Sequence, residues 1–81
     1  MTNIEHLIRL ANRIGSFFEA MPDRDEALHD IVNHIRHFWE PRMRRALLGF
    51  LAEQPDGRRG DTQLSDIVLL AIRSHGKALL E

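Results

Sequence analysis

Cysteine is absent from this 81-residue sequence. The chain therefore has no disulfide staple and no thiolate to hold zinc or an iron–sulfur cluster, which fits a reducing, cytoplasmic setting. An excess of one charge is also missing, since eleven Lys and Arg stand against twelve Asp and Glu for a net charge of −1. Such a balance gives no global attraction to nucleic acid or to an anionic membrane. No apolar run approaches the ~18 residues that span a bilayer, and residues 1–8 carry Glu5 without the basic stretch of a targeting signal. No glycine-rich phosphate loop links a strand to a helix, and no serine has a base near it in sequence, so no independent active site is expected. Strand-like alternation, repeats and low-complexity segments are missing as well.

What is present is the composition of an ordinary globular chain, 43% hydrophobic and 28% charged, read as one domain over residues 1–81. A chain of this length buries only about 60–65% of the surface its unfolded state exposes. Without staples, such a domain commonly draws stability from a partner or a second copy. A subunit is therefore the expected class, and a free-standing enzyme is not.

The apolar residues fall at helical spacing throughout. Ile4, Leu7, Ile8, Ala11, Ile14, Phe18 and Met21 form one stripe, with Thr2 or Asn3 as the cap; Leu10 and Phe17 widen it, and Gly15 inside it suggests a close helix crossing. Met21-Pro22 ends that helix, and Asp23 with Glu26 three residues on opens the next. Its apolar face runs through Ala27, Leu28, Ile31, Val32, Ile35, Phe38 and Trp39, with Asp30, Asn33, His34 and His37 opposite. Pro41 cannot continue this helix but suits the first turn of another, which turns Met43, Ala46, Leu47, Phe50 and Leu51 inward. Residues 53–61, rich in glycine and polar side chains, read as a loop. Residues 62–81 read as a final helix, capped by Asp61 or Thr62, and a tail beyond Gly76 that either frays or docks as an extra turn. The expected fold is all-α, a small bundle of three or four helices packed antiparallel.

The corner Phe38-Trp39-Glu40-Pro41-Arg42-Met43-Arg44-Arg45 concentrates the unusual residues, including the only tryptophan. Adjacent helical residues point about 100° apart, so Phe38 and Trp39 cannot both fill one seam. One packs inward while the other is left for a second helix or a partner, and Phe17 beside Phe18 repeats the choice. Aromatic and arginine residues together are the composition of interface anchors. Phe17, Phe38, Trp39, Pro41, Arg42, Arg44 and Arg45 are therefore the candidate partner-binding residues, with Trp39 or Phe38 as anchor beside Arg42 and Arg44. His29, His34, His37 and Glu40 have no spacing that closes a metal site and read as helix-surface residues. Nucleic acid is disfavoured because Glu53, Asp56 and Asp61 interrupt the arginines.

Two stretches carry a resemblance. Ala11-Asn12-Arg13-Ile14-Gly15-Ser16-Phe17-Phe18 and Ile35-Arg36-His37-Phe38-Trp39-Glu40-Pro41-Arg42-Met43-Arg44 resemble the signatures of the delta subunit of molybdenum-dependent, NAD-linked formate dehydrogenase, over about residues 4–52. Glu40 stands where members more often have Asp. The resemblance implies a noncatalytic small subunit that binds the catalytic alpha subunit, in a complex with beta and gamma subunits, and supports assembly or retention of the molybdenum cofactor. It implies no cofactor on this chain. The holoenzyme would hold molybdenum with bis-molybdopterin guanine dinucleotide, iron–sulfur clusters and FMN on its other subunits. The alternative is a free-standing helical interaction module, a homodimer or a nucleic-acid binder.

Overall fold

A computed structural model describes residues 3–80, and Thr2, one of the two expected caps, lies outside them. The first helix, α1 (Ile4–Glu19), opens at Asn3, whose side-chain oxygen accepts from the His6 backbone N–H at 3.2 Å. The second, α2 (Arg24–Phe38), opens at Asp23, whose carboxylate accepts from the Glu26 N–H at 3.1 Å. Each cap satisfies an amide that the first turn leaves without a helical partner. Pro41 is the first residue of α3 (Pro41–Glu53), and Glu40 before it is extended at φ −66 and ψ 151, as the residue preceding a proline must be.

The chain after α3 departs from the sequence reading. Glu53 still belongs to α3, and residues 58–63 form a small antiparallel hairpin, β1 (Arg58–Arg59) paired with β2 (Thr62–Gln63), in place of a plain loop. Gly60 has φ 61 while Asp61 has no positive φ, the sign pattern of a type II′ hairpin with glycine first in a two-residue turn. Gly57, at φ 70, donates its N–H to Gln54 C=O and accepts from Leu64 N–H, closing the base of the hairpin. The last α-helix, α4 (Asp66–His75), therefore starts later than the sequence suggested, with Ser65 as the cap residue instead of Asp61 or Thr62. Asp61 is held in the turn and Thr62 in a strand, so neither can cap. Beyond α4 a 3-10 segment (Gly76–Leu80) forms the docked extra turn. Leu79 is buried against the bundle and Leu80 points out, 72% exposed.

The result is an all-α bundle of four helices with one minimal hairpin among the described residues. Its centre is α2. Ala27, Leu28, Ile31, Val32 and Ile35 are all buried, and α1, α4 and the 3-10 segment pack on them. The same core takes in Leu7, Ile8 and Ala11 from α1, Leu47 and Phe50 from α3, and Ile67, Val68 and Ala71 from α4. Each fully buried aliphatic side chain contributes about 1.5–3 kcal/mol. The thinnest extent is 18 Å, room for about two helix layers at 8–10 Å spacing.

Candidate partner-binding surface

The seven candidate residues divide cleanly. Trp39 is 7% exposed and Arg44 8%, so both belong to the interior. Trp39 ends α2 with its N–H on Ile35 C=O at 2.9 Å and then turns extended, at φ −89 and ψ 142, which swings the indole off the helix and into the core. Phe38, one residue earlier and still helical, is left 75% exposed. Pro41, Arg42 and Arg45 are also on the surface. Arg42 pairs with Glu40 at 3.3 Å, a solvated contact two residues away that adds little stability.

Phe17 is 76% exposed at the last turn of α1. Its ring stands edge-on to Phe18 at 5.0 Å between centroids, Phe18 meets His34 at 6.2 Å, and His34 lies 4.6 Å from Phe38. Four rings thus form a ladder across α1 and α2 whose two end members face solvent. Edge-to-face and offset geometries within 4.5–7 Å are the favoured ones for such pairs. Phe17 and Phe38 were expected at a contact. Phe18 and His34 were not, because Phe18 fits the core stripe and His34 the polar side of α2. The missed signal is the four-residue step from His34 to Phe38, which stacks them on one face. Nearby, His37 donates its Nδ1–H to Asn33 C=O at 2.7 Å, which fixes its ring orientation.

Arg45 lies elsewhere. It borders a shallow groove of about 380 Å³ with Ile4, Gly49, Glu53 and Arg59, beside the start of α1. Thirteen residues of helix separate Ile4 from Phe17, about 20 Å at 1.5 Å per residue. Arg45 and the aromatics are therefore not one cluster.

The first signature stretch also contains the residues that hold the fold's second half in place. Asn12 donates its side-chain N–H to Gln63 C=O at 2.9 Å and accepts from Ser65 N–H at 2.8 Å, so one amide reads the backbone on both sides of Leu64. One turn on, a Cβ built on Gly15 would lie 2.6 Å from Val68 Cγ2 and 3.2 Å from Ile67 Cγ2. The missing side chain lets α1 and the start of α4 cross at close range, as expected of this glycine. Asn12 was not singled out by sequence, since its partners are more than fifty residues away.

Among the described residues no three His, Asp or Glu side chains gather into a metal-holding group, and no helix is long and apolar enough to cross a membrane. His29 and His75 instead stack on each other, 5.3 Å between centroids.

Asn12 of the first signature stretch thus binds the chain's own backbone, Trp39 of the second fills the core, and Phe17 and Phe38 face solvent. The family model for the NADH-dependant formate dehydrogenase delta subunit FdsD matches residues 6–72, and the chain belongs to that family. No curated protein and no solved structure matches it. The matched range runs past α3 through the hairpin and most of α4, the segment that Asn12 and Gly15 clasp.

Proposed function

We propose that this chain is the noncatalytic delta subunit of a cytoplasmic, NAD-dependent, molybdenum-containing formate dehydrogenase, and that it docks on the catalytic alpha subunit through the aromatic ladder. The observation that carries this reading is the convergence of the two signature stretches. Phe17 and Phe18 come from the first and Phe38 from the second, and they meet on one face through His34. The remaining conspicuous signature residues, Asn12, Gly15 and Trp39, are accounted for by the fold. Two phenylalanines held three-quarters exposed have no role in that packing and suit an apolar pocket on a partner. Arg42, exposed a turn past Phe38 in sequence, supplies a polar rim, and the exposed Pro41 adds apolar surface between them.

In this role the chain binds no cofactor. Molybdenum with its bis-molybdopterin guanine dinucleotide and iron–sulfur clusters belongs to the alpha subunit, and FMN with further clusters to the beta and gamma subunits. The delta subunit stabilises the assembled enzyme or its hold on the molybdenum cofactor. The test is a pull-down of the tagged chain from its native cytoplasm, assayed for formate-dependent NAD reduction and molybdenum. The unaltered chain should bring down the complex. Phe17→Ala with Phe38→Ala should weaken that association by about 30-fold or more, as loss of interface anchors does. Unchanged recovery by the double variant overturns the docking face, and recovery of the chain alone as a dimer returns the reading to a free-standing interaction module.

A further inference from the structure

The second apolar surface lies between α3 and α4, which make almost no direct contact and are bridged by the 3-10 segment. Each helix turns a pair spaced by three residues toward the gap, Leu48 with Leu51 and Leu69 with Ile72. The trough has a larger part of about 450 Å³ and a smaller part of about 170 Å³ that share Ile72 and Arg73. Leu80, 72% exposed, forms one wall. None of these residues belongs to the aromatic ladder.

Among the described residues, the charges lining the trough are of one sign, Arg73 and Lys77, with neither Asp nor Glu beside them. Arg73 Nη2 donates to Pro55 C=O at 3.2 Å, which holds the guanidinium across the gap between α4 and the end of α3. One hydrogen bond leaves a guanidinium further donors to offer a carboxylate. An apolar floor with cations on one wall is complementary to a helix that carries a short apolar stripe with Asp or Glu beside it. Grooves between two helices take such stripes by their i, i+3 and i+4 side chains.

We propose that this trough seats an acidic amphipathic helix of a partner polypeptide. The site is separate from the aromatic ladder, so the chain joins two elements rather than capping one. The apolar stripe covers Leu48, Ile72 and Leu80, and the carboxylates meet Lys77 and Arg73.

The absence of cysteine makes the test direct, because one introduced thiol on this chain is unique. Leu80→Cys and, separately, Phe17→Cys are placed in the tagged chain, and maleimide labelling of that chain is followed by mass in the purified complex and in the isolated protein. Leu80→Cys should label about tenfold more slowly in the complex, as burial of a freely exposed site requires. Adding Lys77→Glu should restore fast labelling, and Lys77→Arg should not. A benzophenone maleimide on the same thiol should cross-link to a segment with apolar residues three or four apart flanked by Asp or Glu. Unchanged labelling at Leu80→Cys overturns the proposal, as does cross-linking to a second copy or to a segment without carboxylates. Protection at Phe17→Cys alone leaves the ladder reading standing and removes this one. Protection at Leu80→Cys alone does the reverse.

Discussion

Replacing Gly15 by alanine sets two effects of known sign against each other. Alanine is better than glycine inside a helix by about 1 kcal/mol. The new methyl, however, would sit 2.6 Å from Val68 Cγ2, closer than two carbon atoms can approach. Val68 is fully buried and β-branched, so its methyl cannot rotate aside without leaving its preferred rotamer. Forcing an extra methyl into a packed crossing costs about 1–3 kcal/mol. The expected outcome is a net loss of about 1 kcal/mol, or roughly 4–8 °C in Tm for a chain of this size. Gly49 supplies the control, because it lies inside α3 with nothing within 4 Å of a built Cβ. Gly49→Ala should gain close to the full propensity difference of about 1 kcal/mol. The gap between the two variants isolates the crossing, and Val68→Ala in the Gly15→Ala background should recover part of it as a coupling of about 0.5–3 kcal/mol. Urea unfolding followed by circular dichroism reads these variants against the unaltered chain, with Val68→Ala alone completing the cycle. A Gly15→Ala protein as stable as Gly49→Ala would refute the close crossing.

Three further variants test the division between fold and surface. Asn12→Ala removes both backbone contacts and leaves the part-buried Ser65 N–H without its acceptor, an expected loss of about 2 kcal/mol. Hydrogen exchange should speed up selectively at residues 63–65, and uniform change across the chain would argue against a local clasp. Trp39→Ala should cost about 3–5 kcal/mol as a buried aromatic truncation, whereas Phe38→Ala, next to it but exposed, should stay within about 0.5 kcal/mol. Equal losses at the two positions, measured by urea titration, would contradict the inward and outward assignments.

Local rules made most of the helical layout legible. Asn3, Asp23 and Pro41 mark their helix starts by chemistry that acts over one turn, and Gly15 stood out because glycine is costly inside a helix. The hairpin was hidden because strands of two residues cannot show a period of two. Its one clear signal, Gly60-Asp61 as a two-residue turn, competed with Asp61 as a helix cap. Of the site, the pairing of adjacent aromatics showed that one of Phe38 and Trp39 must face away, but the backbone turn after α2 decided which. Arg44 illustrates the limit. Residue type groups it with the exposed Arg42 and Arg45, while its place on α3, three before Leu47, brings it inside.

The clasp between Asn12 and Ser65 joins residues 53 apart in sequence. At about 5–20 residues per second, synthesis needs roughly 3–10 s to deliver the second partner after the first. During that interval α1 can coil and lean on α2, but the surface that Gly15 was kept bare to meet has not yet been made. Contacts of such long separation also slow folding itself. The N-terminal signature is therefore translated several seconds before the segment that Asn12 and Gly15 meet, and α1 gains those two contacts only after the start of α4 has been made.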